Sequence, residues 1–430
     1  MPRVAFATIG CKVNQYETQL MRERLERAGF EVVPFSSLAD VYIVNTCSVT
    51  EEADKKSMQA VKKALLKNKL AKIYVTGCFV EAESCKIKNK YPEVKIVRNI
   101  DKLRIEKILL PEVQLNGDFT IHRFFSHDRA FVKVEDGCDR FCTYCRIPYV
   151  RGKKIRSRKP EEIISEIKNL YAAGYREIVL TGVNLALYGK DFNSSLVLLL
   201  EKILPFLSED VRIRLSSLEP HLIPEGLLEL MAGTELICPH LHLSFQSGDD
   251  EILKRMGRGY TTSWLKSLIE KFRKRIPEIG ITGDVIVGFP GEKEENFQRT
   301  LQFVKDAGFH RLHVFRFSPR PETPASRMKG KVRESVKKER SRILRETFLD
   351  TSKEFIKKFT GKTLPVLVES KPDLKTGYPA GYTHNYIKVL ITSCKGSLDK
   401  IKGKILPVRI VQAERGYALG EIEKVFSEKV

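Results

Sequence analysis

Short apolar runs alternate with longer amphipathic stretches along the first hundred residues. Residues 4–9, 41–44 and 73–76 are apolar runs of strand length, whereas residues 17–28 and 53–66 repeat their apolar positions at helical spacing. Strand and helix in alternation predict a small open parallel α/β domain, because a parallel connection needs a crossover long enough to hold a helix. Residues 111–128 lose periodicity and read as a link. A second alternation follows, with strands expected at 131–134, 177–181, 212–215, 242–245, 282–287 and 312–315. Six strands in that rhythm predict a partial (β/α)6 barrel with its chemistry at the strand C-terminal face. The charged stretch 329–358 is expected as a helix or a solvated connector. Strands at 364–369, 386–392, 405–412 and 417–422, separated by Lys371-Pro372-Asp373, Thr376-Gly377 and Glu414-Arg415-Gly416, then predict a small β-barrel. The fold class is therefore α/β, in units of residues 1–115, 124–355 and 360–426.

Composition narrows the partners. With 430 residues and 42% hydrophobic content the chain is too long for one core. Lysine and arginine number 75 against 54 acidic residues, a formal charge of +21 that fits a polyanionic partner or simply a soluble basic surface. Basic stretches at 151–159, with Lys153, Lys154, Arg156 and Arg158, and at 271–275 and 337–345 could contact phosphates without reading sequence, although any one of them could equally be a solvated face. The N-terminal apolar run is too short for a signal peptide, and no run approaches the roughly 18 apolar residues a membrane span needs. A cytoplasmic three-domain monomer with no membrane partner is expected.

Nine cysteines, an odd number without secretory features, point to reduced thiols rather than a disulfide framework. Cys138, Cys142 and Cys145 form a C-x3-C-x2-C run just after the first expected barrel strand. Zinc would need a fourth ligand, for which His122 and His127 are available. Three thiolates on a cubane iron–sulfur cluster instead leave one iron open to a ligand. Cys11, Cys47 and Cys78 each follow an expected strand, and the carboxyl ends of parallel strands share one edge. Their alternative reading is as buried small hydrophobes, the reading given to Cys85, Cys238 and Cys394.

The Cys138 run, with the aromatic Tyr144 before its last cysteine, resembles the radical S-adenosylmethionine signature. The resemblance implies a [4Fe–4S] cluster on Cys138, Cys142 and Cys145 and S-adenosyl-L-methionine at its open iron. It also implies cofactor contacts in the loops Thr181-Gly182-Val183-Asn184, Ser216-Ser217-Leu218-Glu219, 244–248 and 283–290, for which Tyr144, Gly182, Asn184, Glu219, Gln246 and Arg258 are the candidates. Gly10-Cys11-Lys12-Val13-Asn14-Gln15-Tyr16-Glu17-Thr18, Asn45-Thr46-Cys47 and Thr76-Gly77-Cys78 together resemble the N-terminal domain of the tRNA methylthiotransferases. That implies a second [4Fe–4S] cluster on Cys11, Cys47 and Cys78. Residues 381–389, Gly-Tyr-Thr-His-Asn-Tyr-Ile-Lys-Val, resemble the core of an RNA-binding TRAM barrel.

The surroundings of Cys11 are similar to the bacterial threonylcarbamoyladenosine branch of that family. The implied reaction is radical insertion of a methylthio group at C2 of N6-threonylcarbamoyladenosine at tRNA position 37. The implied partners are the tRNA anticodon stem-loop, an electron donor of flavodoxin or ferredoxin type and a sulfur source. The same chemistry on isopentenyladenosine or a ribosomal protein, and a non-catalytic iron–sulfur RNA-binding sensor, remain as alternatives.

Overall fold

The computed structural model describes residues 1–430 except 114, 116–118, 126, 394–397 and 424–430. Cys394 and the end of the third expected unit therefore lie outside the described residues.

The first strands, β1 (Arg3–Thr8), β2 (Glu31–Val33), β3 (Val41–Thr46), β4 (Lys72–Gly77) and β5 (Lys95–Ile96), form one parallel sheet in the order β2-β1-β3-β4-β5. Central β3 is buried along its whole length, which is why it reads as an almost continuous apolar run. Helices α1 (Lys12–Arg27), α2 (Glu51–Lys67) and α3 (Cys78–Lys90) make the crossovers. Helix α1 starts at Lys12 rather than at residue 17. Its first two turns bury polar Asn14 and Glu17, so apolar periodicity could not reveal its start.

Next come β6 (Ala130–Lys133), β7 (Glu135–Asp136), β8 (Arg156–Ser157), β9 (Glu177–Thr181), β10 (Arg212–Leu215), β11 (Ser217–Leu218), β12 (His240–Gln246), β13 (Gly280–Val287) and β14 (Arg311–Arg316). The parallel sheets β10-β9-β6 and β11-β12-β13-β14 are joined where only Ser216 separates β10 from β11. The result is a six-pass open barrel, as expected, with β7 and β8 as an antiparallel ribbon beside it. Leu241, Leu243 and Phe245 alternate outward into an apolar layer shared with the surrounding helices, where Phe245 stacks on Phe309 at 4.6 Å.

The expected link before the barrel contains no regular element among its described residues between Leu109 and Ala130, yet it is tightly docked. The Ile121 amide donates to Glu166 at 2.7 Å, and Ile121 and Phe124 share a core with Tyr16 and Leu20 of α1. Two polar-patterned segments thus fasten the first sheet to the barrel.

The helix Glu334–Lys357 leads to a closed barrel of β15 (Thr363–Val368), β16 (Ala380–Thr383), β17 (Lys388–Ile391), β18 (Ile405–Glu414) and β19 (Tyr417–Ile422), in the order β15-β16-β17-β19-β18. Strand β16 was not expected from the sequence. Its Gly381 passes so close to β15 that a Cβ there would lie 2.3 Å from Leu367 O. Tyr386 is not in a strand but in the turn, at φ 71°. This turn faces the central barrel: Arg214 donates to His384 O at 2.9 Å, and the Tyr386 ring lies 5.0 Å from Tyr382 and 4.7 Å from His240. Residues 381–389 therefore include a plug at the N-terminal end of the barrel rather than an open aromatic face. Among the described residues, no helix is long and apolar enough to cross a membrane.

Candidate functional site

Cys138, Cys142 and Cys145 lie in the loop between β7 and the short helix Ile147–Val150. Gly137, at φ +89°, lets the loop begin against β8, where a Cβ would meet Lys154 O at 2.1 Å. The Cys138 amide donates to Gly152 O, the Cys145 amide to Cys142 O and the Thr143 amide to Met256 O. Cys138 and Cys142 are buried and Cys145 is half-buried. Burial, reinforced by the Cys142 thiolate, pushes the thiols of Cys138 and Cys145 up to about 12. Such thiols become thiolates when a cation compensates them, as iron would.

The second triad is assembled from three loops. Cys11 is the extended N-cap of α1, Cys47 directly follows β3, and Cys78 is the first residue of α3. Two of the loops need their neighbouring glycine. A Cβ on Gly10 (φ +104°) would lie 2.7 Å from Cys47 Sγ, and one on Gly77 (φ +99°) would lie 2.2 Å from Thr46 O. Asn14 Nδ2 ties the loops together by donating to Ile9 O at 2.8 Å and to Thr46 O at 2.9 Å. Burial first, then the charges of Cys11 and Cys78, push Cys47 up to about 12, and burial also raises Cys78.

Neither triad is drawn in to the spacing of a single ion. Among the described residues, the His, Cys, Asp and Glu trio with ligand atoms all within 4.8 Å is His242, Asp284 and His313. His122 is bonded to Glu23 and Arg27, and His127 packs on Phe124 and Phe131, so neither completes a zinc site at Cys138. Wider spacing of thiols suits a polynuclear cluster. Cys238 is buried as expected, whereas Cys85 is exposed on α3.

Beside the Cys138 loop, the candidate cofactor contacts form a polar network. Asn184 Nδ2 donates to Glu219 Oε2 at 2.8 Å, Arg258 Nη1 lies 2.9 Å from Glu219 Oε1, and Arg258 Nη1 also donates to Cys142 Sγ at 3.3 Å. Gly182 borders the network, where a Cβ would be 2.6 Å from Glu135 Oε2. Gln246 ends β12 in a left-handed conformation, φ 70°. Tyr144 instead packs on the apolar group of Ile252, Met256, Phe289, Phe317 and Ala325.

Sequence reasoning missed Glu135, Arg140 and His221. Glu135 accepts from the Asn184 amide, Arg140 Nη2 meets His221 Nε2 at 2.9 Å, and both flank Glu219. Their proximity in sequence to Cys138 and Glu219 was the one available signal. Burial, against the Asn184 and Val183 amides, raises Glu135 to about 8. Asn184 Oδ1, Glu135 Oε1, Ser216 Oγ and Arg140 Nε are buried without a hydrogen-bond partner. Buried orphan donors and acceptors of this kind fit a ligand bearing amino, carboxylate and hydroxyl groups, as S-adenosylmethionine does.

The two triads face each other. Arg146, directly after Cys145, donates to the hydroxyl of Ser48, directly after Cys47, at 2.6 Å, and also holds Glu322 at 2.6 Å and Glu83 at 3.2 Å. A second buried bridge joins Arg151 to Glu17 and Asn14 near Cys11 and to Asp136 near Cys138. Glu17 also meets Lys102 and Lys133, and these three cations hold its carboxyl well below the usual range despite burial. Arg151 and Arg158, taken from the sequence as part of a basic surface stretch, are internal: Arg158 is paired with buried Glu166.

Residues 132–304 match the model of the radical SAM superfamily, and residues 3–99 match that of the uncharacterized protein family UPF0004. A threonylcarbamoyladenosine tRNA methylthiotransferase of Thermotoga maritima is 43% identical over 90% of this chain and 91% of its own length. Its namesake from Bacillus subtilis is 38% identical over 100% of this chain and 98% of its own. A tRNA-2-methylthio-N(6)-dimethylallyladenosine synthase of Geobacillus kaustophilus is 33% identical over 96% of this chain and 81% of its own. Among solved structures, a radical S-adenosylmethionine methyltransferase from Kitasatospora setae with cobalamin and a [4Fe–4S] cluster bound aligns with a TM-score of 0.57 at 14% identity. It covers 76% of this chain and 77% of that one, a likeness of fold.

Proposed function

Because this chain belongs to the radical S-adenosylmethionine methylthiotransferase family, we propose that it inserts a methylthio group at C2 of N6-threonylcarbamoyladenosine in the anticodon loop of tRNA. The observation that supports the reading is the Arg146–Ser48 hydrogen bond, which sets the loop of Cys145 against the loop of Cys47.

Membership of the radical SAM superfamily implies S-adenosylmethionine and one [4Fe–4S] cluster. Cys138, Cys142 and Cys145 would hold that cluster, and Cys11, Cys47 and Cys78 a second. When bound, these groups supply the radical that activates an aromatic C–H and the methylthio group that replaces it. The chain's own residues position and shield. Asn184, Glu219 and Arg258, buttressed by Glu135 and His221, would orient the cofactor's polar ends at the strand C-terminal face. Gly182 leaves the space, and Gln246 ends the strand that borders the site. Tyr144 anchors the cysteine loop in the apolar layer. The tyrosine-bearing turn of the C-terminal barrel closes the far end of the central barrel, opposite the cysteine loop. A flipped anticodon-loop base can reach the site, since single-stranded RNA bases splay out readily.

The +21 charge supports an RNA partner, with the exposed Lys153 and Lys154 beside the cysteine loop as candidate phosphate contacts. We take residues 1–115, 124–355 and 360–426 as the working units of a cytoplasmic monomer, served by a flavodoxin- or ferredoxin-type electron donor and a separate sulfur source. The test is mass spectrometry of tRNA nucleosides from cells lacking the gene, complemented with the intact chain or with Cys142→Ala. The 2-methylthio-N6-threonylcarbamoyladenosine signal is expected to vanish and return only with the intact chain. An unchanged signal overturns the substrate assignment and turns attention to isopentenyladenosine.

A further inference from the structure

The concave side of the barrel carries a group of side chains that neither cysteine triad uses. Leu241 and Leu243 of β12, Ile281 and Val285 of β13, and Leu312 and Val314 of β14 join the outer apolar layer. By strand alternation His242, Asp284 and His313 project to the opposite, concave side. Asp284 and His313 are register partners. Asp284 Oδ1 lies 3.0 Å from His242 Nε2 and 3.1 Å from His313 Nδ1, while His242 Nδ1 meets Thr282 Oγ1 at 2.9 Å. Burial opposes ionisation of Asp284, but the two imidazoles outweigh it and hold its carboxyl well below the usual range.

One member of the group remains open. His313 keeps 48% of its side chain exposed, and Phe315, two residues further along the same face, keeps 39%. The wall lines the central barrel between the Cys138 loop and the Tyr386 plug. At one end of β12, Arg258 bonds Ser244 O and Cys142 Sγ. At the other, His240 packs at 4.7 Å on Tyr386 of the plug and meets Thr282 Oγ1 at 2.8 Å.

We propose that this wall reads the N6 substituent of the substrate adenine, with His313 as the specificity-determining residue and Phe315 as the aromatic face for the base. The assignment rests on the function proposed above and deepens it. With Nδ1 held by Asp284, Nε2 of His313 is the nitrogen available to a ligand. A threonylcarbamoyl group offers it a carboxylate, a hydroxyl and a ureido group, whereas an isopentenyl group offers only hydrocarbon. A site built to hydrogen-bond its ligand rejects an analogue that leaves the site's polar groups unpaired.

The test measures binding of two anticodon stem-loops, carrying N6-threonylcarbamoyladenosine or N6-isopentenyladenosine, to the holoenzyme by fluorescence anisotropy. The wild type should prefer the threonylcarbamoyl RNA by roughly 10- to 100-fold, the worth of one strong polar contact. His313→Leu should lose most of that preference by weakening this RNA alone, and Asp284→Asn should lose part of it. Iron content and cluster absorbance report whether each variant is folded. Equal weakening of both RNAs, or an unchanged preference, overturns the role of His313 and leaves the proposed function standing. A wild type without the preference overturns both. A stoichiometric divalent ion beyond the cluster iron, lost in Asp284→Asn, would mark the trio as a metal site and also overturn the proposal.

Discussion

The two cysteine triads are assembled by opposite routes. Cys138, Cys142 and Cys145 fall within one loop, where backbone hydrogen bonds to Gly152, Cys142 and Met256 shape the nest. Cys11, Cys47 and Cys78 are far apart in sequence and meet because β1, β3 and β4 are adjacent parallel strands that end at one edge. A local triad depends on the conformation of one loop. A dispersed triad depends on the register of a whole sheet, and so is exposed to any change that moves one strand end.

The largest effects should come from the cysteines proposed as ligands. Cys142→Ala is expected to abolish cleavage of S-adenosylmethionine and lower bound iron from about eight to about four atoms per chain. Cys78→Ala should lower iron equally, abolish methylthio insertion and still produce 5′-deoxyadenosine, as chromatography of both products would reveal. If both variants lose cleavage, the division of labour between the triads is wrong.

Register should be next. Gly77→Ala would place a Cβ 2.2 Å from Thr46 O at φ +99°, so the second triad should be disturbed while the first keeps its iron. The strain should cost about 1–3 kcal/mol, read from denaturant unfolding of the apoprotein. Arg146→Ala removes the link between the triads. We expect both clusters to remain, with product formed per S-adenosylmethionine cleaved falling roughly tenfold, the order expected for a buried charged hydrogen bond. Unchanged coupling would mean that other contacts, such as Arg151 with Glu17, set the spacing.

The smallest effect concerns Glu135. Its folded-state value of about 8 lies above the ordinary 4.5, so the folded apoprotein keeps a proton that the unfolded chain has released between those values. Its contribution is fully present below about pH 4.5 and is lost progressively as pH rises towards 8. Glu135→Gln should flatten that part of the stability profile, measured by melting at pH 5 and pH 8.

Much of this was legible along the chain, for identifiable reasons. Strands β3 and β9 are buried along their whole length, and they read as largely apolar runs. The Cys138 loop carries its three cysteines at short fixed spacing. By contrast, the start of α1 was hidden because Asn14 and Glu17 are buried through polar contacts rather than apolar packing. Strand β16 was hidden because a glycine at a close strand crossing resembles a turn. Arg151 and Arg158 looked like surface charge because a sequence does not display the carboxylates that will surround an arginine.

By itself, then, the sequence determined the alternation of the main strands and helices, the local cysteine nest and the glycines beside Cys11 and Cys78, since these follow from periodicity and from contacts between near neighbours. Only the tertiary structure decided that Arg146 meets Ser48, that Tyr386 plugs the barrel and that His242, Asp284 and His313 share one wall. Each of those contacts joins side chains from separate strands or loops, and their distances are set by sheet register and by the docking of one layer on another.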